Sequence, residues 1–508
     1  MPHVVTQACC ADASCVHACP VNCIHPTPDE PDFATAEMLY IDPDVCVDCG
    51  ACVGACPVGA IVPDDRLTPG EQVFLDLNAV LSTPSRPYPP QAPVPPIRRL
   101  ERDRGRAGHP LRVAIVGAGP AALYTADELL RQSGVEVTVF DRLPVPHGLA
   151  RHGVAPDHAR TRSVTDLFTL IENQSGFTYR LGVEIGRDLG VGDLAAHHDA
   201  VVYATGASTD RPLDIPGTGL PGSMSATQVV SWYNGHPDHV DARVPLDHER
   251  AVIVGNGNVA LDVARILATP AEALAGSDIS PVALEALRSS RVREIVVLGR
   301  RGPAQAAFTL PELVGLASRD DIDLRVEAPG GIDPRAATDR QRSLMLECLA
   351  DVASRPPRPG SPRIVLRFQS VPVEVLGGDR VEGLRIAETG LTTRDGDVRA
   401  VPRPGTEEVL DAGLVLRSVG YRGVPVPGVP FDPATGTIPH RGGRVLDRPG
   451  GSEVPGSYVV GWIKRGPRGF IGSNKTCARE TVDALLADAN AGRLPRPVTP
   501  SGPVRTSA

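Results

Sequence analysis

Short apolar runs that end in glycine recur along most of the chain, each followed by a stretch with helical spacing. LRVAIVGAG (111–119) is continuously apolar and runs into a turn, and AALYTADELL (121–130) behind it repeats its apolar positions at helical intervals. A short run without polar alternation predicts a strand buried on both faces, as in a parallel sheet. VEVTVFD (135–141) is the next strand. The pattern returns at AVIVGNGNVALDVARIL (251–267) and REIVVLGRR (293–301), and two further strands, DAVVYATG (199–206) and AGLVLRSVG (412–420), also end in glycine. Strands alternating with helices predict an α/β fold with a doubly wound sheet, and the pattern occurs twice, so two such dinucleotide-binding domains are expected.

Ahead of them the texture changes. TPSRPYPPQAPVPP (83–96) and the charged run RRLERDRGR (98–106) cannot bury a core. They predict an extended, semi-rigid linker. At roughly 3 Å per residue in polyproline II geometry it is long enough to let what precedes it dock and undock. What precedes it is a small cysteine-rich unit. The 508 residues suffice for three domains. The expected division is a small α+β unit over 1–66, a Pro-rich linker over 67–108, a first dinucleotide domain from 109–210 and 423–508, and a second from 211–422.

Charge sharpens this division. Residues 1–66 carry ten acidic side chains against one basic, Arg66, while the rest of the chain balances at 50 against 50, for a net charge of −9. A small acidic unit beside a neutral body argues against nucleic acid, which needs a basic surface, and suits docking on a cationic patch. Nine of eleven cysteines lie before residue 57, leaving only Cys348 and Cys477 in the body. Such segregation is a metal-binding pattern and not a disulfide scaffold. The basic residues are nearly all arginine, and the only lysines are Lys464 and Lys475. No apolar run approaches the roughly 18 residues of a membrane span. The N-terminus has neither a basic start nor an apolar core segment, so the cytoplasm is the expected location.

Cys46-x2-Cys49-x2-Cys52-x3-Cys56-Pro57 matches the bacterial ferredoxin spacing at every interval. Three thiolates of such a run face one cluster, and the fourth reaches across to a second. The proline after the last cysteine disfavours zinc. The first half repeats the pattern as Cys9-x2-Asp12-x2-Cys15-x3-Cys19-Pro20, with aspartate at the second ligand position. A carboxylate is a harder, weaker ligand for iron than a thiolate. That corner is therefore either oxygen-ligated or empty. By the crossover, Cys46, Cys49, Cys52 and Cys19 hold a complete [4Fe–4S] cluster. Cys9, Cys15 and Cys56 hold an altered one, either [3Fe–4S] or a [4Fe–4S] cluster with Asp12 as fourth ligand. Cys10 could compete with its neighbour Cys9, and Cys23 reads as a packed thiol near a cluster. This half resembles the seven-iron ferredoxins, although their usual longer spacing after the first ligand is not seen.

Gly117-Ala118-Gly119-Pro120-Ala121-Ala122 follows a strand and opens a helix. The first glycine permits the turn, the second lets a pyrophosphate approach the backbone, and Ala122 allows the helix to pack on the strand. The next strand ends at Asp141, 24 residues on, placed to accept from a ribose hydroxyl. Gly255-Asn256-Gly257-Asn258-Val259-Ala260 is a second fingerprint. Its following strand ends in Arg300-Arg301, about 40 residues later, so an insertion loops out between them. Arginine pairs bidentately with phosphate, which points to the 2′-phosphate of NADP. Two nucleotide sites after a linker are the layout of flavoprotein reductases, with FAD in the first and NADPH in the second. A hydride carries two electrons and a cluster accepts one, so a flavin is needed between them.

From residue 109 onward the chain resembles the adrenodoxin reductase family of ferredoxin–NADP reductases. The stretches that carry the resemblance are LPVPHGLARHGVAPDH (143–158), the second glycine motif with its arginine pair, FTLPEL (308–313), SVGYRG (418–423) and GWIKRGPRGFIG (461–472). The whole chain looks like the rarer fusion in which a two-cluster ferredoxin precedes such a reductase. The resemblance implies that Gly119, Asp141 and Leu149 bind FAD, with Trp462, Gly469, Phe470 and Ile471 closing over the flavin. Asn258 and Val259 would meet the NADP pyrophosphate, and His158 and Glu312 would lie near the flavin and nicotinamide and assist proton balance. Thr309-x-x-Glu312 is also a capping box, and His158 could simply begin a helix. His147 stands where an aromatic is common before Gly148. The implied function is electron transfer between NADPH, FAD and the clusters, and onward to an acceptor protein. The alternative is an electron-delivery subunit of a larger complex.

Overall fold

The structure is a computed structural model that describes residues 2–82, 97–101, 109–394 and 397–497. The Pro-rich run 83–96 and residues 102–108 of the expected linker lie outside the described residues.

In the cysteine-rich unit β1 (His3–Val5) pairs antiparallel with β4 (Ile61–Pro63), and β2 (Ile24–His25) with β3 (Tyr40–Ile41). Two short helices, α1 (Ser14–Ala18) and α2 (Ala51–Ala55), pack on each other. The linker boundary at 67 is wrong, because α3 (Gln72–Leu81) continues the unit to residue 82. Phe74, Leu77 and Leu81 repeat at helical spacing and turn into the core, and Thr68 and Glu71 cap the turn ahead of them. At the other end, Ile97 and Leu100 already pack on the first dinucleotide domain, where the Leu100 N–H donates to Gln132 (3.0 Å).

That domain is a seven-stranded sheet around β5 (Leu111–Val116), β6 (Val135–Asp141), β7 (Phe177–Leu181) and β8 (Ala200–Tyr203). A second sheet is built from β9 (Ser223–Ser225), β10 (Arg250–Val254), β11 (Glu294–Leu298), β12 (Asp323–Glu327), β13 (Arg363–Arg367) and β14 (Leu414–Arg417). The first is completed by β15 (His440–Arg441), β16 (Arg444–Leu446) and β17 (Glu453–Val459), in the order β15-β16-β17-β8-β5-β6-β7. The second runs β9-β14-β10-β11-β13-β12, parallel throughout. Each sheet reverses its strand order at the strand that precedes its glycine motif, which is where open α/β sheets bind ligands. The antiparallel pair Thr209–Asp210 with Tyr421–Arg422 brings together the two chain segments that pass between the sheets. The predicted insertion after the second motif is helical, Ala271–Leu274 and Pro281–Arg288. Four antiparallel strands within 370–411 were not foreseen.

The cysteine-rich unit is docked on both domains. Cys10, Val58 and Ala60 belong to one continuous apolar core with Ile115, Ala121 and Ala122, and the Gly472 N–H donates to the Cys10 carbonyl (2.9 Å). Arg160 pairs with Glu71 across the same junction.

Asn78 on α3 stitches the unit together: its carbonyl accepts from the N–H groups of Val5 (3.2 Å) and Ile41 (2.9 Å), and its amide donates to the Val5 carbonyl (2.8 Å). Asn78→Leu leaves buried backbone groups unpaired, which costs about 3 kcal/mol. Denaturant titration followed by iron–sulfur absorbance should show a lower midpoint, with the flavin transition unmoved. An unchanged midpoint would mean that α3 is not part of the unit's fold.

Candidate functional site

The cysteines converge on two cavities. Cys19, Cys46, Cys49 and Cys52 line one, with Cys23 and Ile41, while Cys9, Cys15 and Cys56 line the other, with Cys10, Asp12 and Leu39. Cys19 thus lines the cavity of the second run, and Cys56 that of the first. The two halves repeat at the level of the backbone. Left-handed residues fall at Ala11 (φ 54°), Ala13 (φ 59°) and Asn22 (φ 53°) in one, and at Asp48 (φ 53°), Gly50 (φ 72°) and Gly59 (φ 56°) in the other. In this repeat Asp12 stands at the position of Cys49.

The surroundings fit iron–sulfur clusters. Burial pushes the Cys9 and Cys52 thiols up to about 11, and Cys10 and Cys15 well above the usual thiol range. Cys19 goes the other way, because the Cys23 thiol hydrogen-bonds to its sulfur (3.4 Å). Cys23 is therefore a packed thiol beside the first cavity.

Asp12 and Cys49 differ most in what covers them. Cys49 is exposed. Asp12 is buried under the start of α7 (Ser473–Asn490), where one carboxylate oxygen accepts from the Ser14 N–H (3.1 Å) and the other from Ser14 Oγ (2.5 Å) and Lys475 Nζ (3.2 Å). A side chain at Gly472 would collide with the backbone of Ala11 and Asp12.

At the first glycine motif, Gly117 (φ +104°) passes so close to β8 that a Cβ would lie 2.5 Å from the Ala204 carbonyl oxygen. Gly119 caps α4 (Pro120–Leu130); Pro120 has no N–H and the Ala122 N–H already reaches the Gly119 carbonyl (3.0 Å), so the N–H groups of Gly119 and Ala121 are the ones left for a pyrophosphate. Ala122 is fully buried against the sheet. Asp141 accepts from Ala118 N–H (2.7 Å) and Leu143 N–H (2.8 Å), and burial still holds its carboxyl above the ordinary range. Gly148, just before Leu149, comes within reach of Gly119, its virtual Cβ 3.0 Å from the Gly119 Cα. His147 bonds Glu172 (2.6 Å) and packs on Phe168, so it serves the core. In the late motif Trp462 lies against Tyr421 (ring centroids 5.5 Å apart), and Phe470 and Ile471 are half-buried. Gly469 (φ +84°) is exposed.

The second motif repeats the device. Gly255 (φ +110°) abuts the Ser418 carbonyl, Gly257 faces open space, and Asn258 and Val259 begin α5 (Asn258–Ala268), again without a side-chain cap. The Asn258 amide spans to Thr309, accepting from its N–H (2.8 Å) and donating to its Oγ1 (3.1 Å). Arg300 and Arg301 follow β11, and only their carbonyls are bonded, to Thr389 Oγ1 and Gln369 N–H. Among the described residues neither guanidinium has a partner.

Between the two motifs, ligating atoms of His158, Asp262 and Glu312 lie within 4.8 Å of one another. Arg265 holds Asp157 (2.8 and 2.9 Å) and Asp262 (2.8 Å) and stands 3.9 Å from Glu312. Burial, then Asp262, raises the Glu312 carboxyl. The capping-box alternative fails, because Thr309 makes no cap bond to α6 (Leu310–Ala317). His158 does precede a short helix, Ala159–Arg162, yet its side chain caps nothing.

Comparison with known proteins decides the family. Residues 111–292 match the pyridine nucleotide-disulphide oxidoreductase model and 39–62 the 4Fe-4S binding domain. A probable ferredoxin/ferredoxin–NADP reductase of Mycobacterium tuberculosis is 53% identical over 512 residues, covering 98% of this chain and 86% of the relative. The chain belongs to the ferredoxin/ferredoxin–NADP reductase family. Human mitochondrial NADPH:adrenodoxin oxidoreductase is 43% identical over 76% of the chain and 80% of its own length. The solved structure of M. tuberculosis FprA in complex with NADPH is 43% identical, with a TM-score of 0.72 over 78% of this chain and 88% of that one. The chain is thus a flavoprotein reductase with a fused ferredoxin, using FAD, NADP(H) and a 4Fe–4S cluster. No helix among the described residues is long and apolar enough to cross a membrane.

Several residues of the site escaped the sequence. Asp262 and Arg265 had a signal, two charges three residues apart in the otherwise apolar VALDVARIL. Lys475 had one as well, as one of two lysines among 51 basic residues. Gln7 had none.

Replacing Arg300 and Arg301 with glutamine removes two charge-assisted contacts and should raise KM for NADPH roughly 100-fold. KM for NADH should barely move, since the pyrophosphate turn is untouched. Equal losses for both coenzymes in steady-state kinetics would make these arginines structural.

Proposed function

We propose that the two clusters of this ferredoxin–NADP reductase are inequivalent, with a [3Fe–4S] cluster at Cys9, Cys15 and Cys56 on the flavin side and the [4Fe–4S] cluster at Cys19, Cys46, Cys49 and Cys52 on the solvent side. The observation that carries this is the engagement of Asp12, whose two oxygens are taken by Ser14 and Lys475. A carboxylate so occupied is a poor fourth ligand. Accepting a hydride and handing on single electrons is the chemistry FAD supplies when bound. Around it, Gly117, Gly119, Ala122, Asp141 and Leu149 bind the cofactor, and Trp462, Gly469, Phe470 and Ile471 close over it. Gly255, Gly257, Asn258 and Val259 hold the NADP pyrophosphate, Arg300 and Arg301 its 2′-phosphate. His158 and Glu312 face the nicotinamide and flavin and balance the proton.

The external acceptor docks round Cys49. Val47 (58% exposed) and Val53 (37%) give that face an apolar centre, and exposed Asp44 and Asp48 make it negative. It suits a protein acceptor with a basic surface. A reducing cytoplasm that supplies NADPH and keeps the thiols free is the fitting compartment.

Oxidised protein should show the EPR signal of a [3Fe–4S] cluster beside a silent [4Fe–4S] cluster. Asp12→Cys should remove that signal, add one iron and lower the potential of the site. Cys10→Ser should leave the iron count unchanged, and loss of a cluster in that variant would sink the assignment.

Cytochrome c, itself basic, probes the exit face. Asp44→Lys should slow its reduction about tenfold at low ionic strength, with the difference fading as salt is added. NADPH-driven flavin bleaching should be unaffected. A salt-independent defect would place the exit elsewhere.

A further inference from the structure

The ferredoxin does more than approach the reductase, because it bonds directly to the helix that carries Glu312. Gln7, in the segment between β1 and Cys9, donates from Nε2 to Glu312 Oε2 (2.8 Å). Glu37 accepts from the N–H of Leu310 (2.6 Å), the first residue of α6. That N–H lacks an intrahelical partner, as all first-turn groups do, and Thr309 supplies no side-chain cap. Gly315 lies on the same helix, and a Cβ there would overlap the Gln7 amide. Glycine inside a helix is less favourable than alanine, so the bare position has a use: it makes room for Gln7. Two bonds and a vacated position thus join ferredoxin to one helix of the NADP domain.

We propose that Gln7, a ferredoxin residue, is a positioning residue of the reductase, its amide orienting the Glu312 carboxylate so that the nicotinamide side of the site is complete only with the ferredoxin docked. This rests on the reading that Glu312 works at the nicotinamide. Apart from Glu37, at the start of the same helix, the charged and titratable groups around Glu312 come from the reductase. Asp157 and His158 precede the helix Ala159–Arg162, and Asp262 and Arg265 project from α5. The phenols of Tyr233 and Tyr421 are pushed up by burial and by Asp262, and stay neutral. Three carboxylates therefore share Arg265 and His158. Burial and Asp262 favour a protonated Glu312, while Arg265, His158 and Gln7 oppose it. An N–H donor stabilises the ionised carboxylate, so its removal raises the pH at which Glu312 loses its proton.

The test uses the full holoenzyme, with flavin and iron content checked in each variant. NADPH-driven flavin reduction is followed by rapid mixing across pH, and Glu312→Gln identifies the limb that belongs to Glu312. Gln7→Leu, which keeps the bulk and loses the donor, should move that limb up by about one pH unit, the worth of one charge-assisted hydrogen bond. Gly315→Ala, which favours the helix but displaces the Gln7 amide, should move it in the same direction. If both variants reproduce the parental profile while Glu312→Gln abolishes the limb, Gln7 has no positioning role. If Glu312→Gln leaves the limb in place, the reading of Glu312 falls and this proposal with it.

Discussion

Gly472 has no room for a side chain, because the backbone of Ala11 and Asp12 occupies the space where a Cβ would sit. From that contact the rest of the arrangement follows. It brings the ferredoxin loop onto the first turn of α7, where Lys475 meets Asp12 and Ser14 and the Gly472 N–H meets the Cys10 carbonyl. The same turn continues the stretch GWIKRGPRGFIG, so one close approach sets the Asp12 corner beside the first dinucleotide domain. Rotating the unit away would expose Cys10, Val58 and Ala60, which share a core with that domain. Apolar burial holds the junction, and the ion pair fixes its register.

An internal repeat made asymmetric is the logic of the ferredoxin. Its halves share ligand spacing and left-handed turn positions, and so present equivalent corners at Asp12 and Cys49. One corner is covered by protein and carries a carboxylate, the other is open and carries a thiolate. A backbone that could serve either direction is given one by what covers each end.

Much of this was legible in the sequence because backbone geometry dictates it. Gly117 and Gly255 must pass a neighbouring strand too closely for a side chain, and the strands they pass, ending at Gly206 and Gly420, were already marked by their own glycines. The cysteine intervals likewise fix which thiols share a cavity. Helix α3 was missed because its start, TPGE, reads as a turn and the proline run beyond it drew the boundary too early. The docking contacts had little local signature, since Asp12 and Lys475 are 463 positions apart and Gln7 and Glu312 are 305 apart. Such pairs exist only once three folded units are assembled, and no periodicity or motif spacing encodes them.

The same junction also bears on which carriers can reach the reductase. In a reductase without a fused partner, the surface formed by α6 and α7 would be open to any diffusing carrier. Here α6 and the first turn of α7 are covered by residues of the chain itself, Gln7 and Glu37 on one, Cys10 and Asp12 on the other. On the proposed reading, a second carrier would find that surface taken and would meet the ferredoxin at Cys49 instead. Reducing power drawn from NADPH would then be reserved for clients of one ferredoxin, chosen at its outer face.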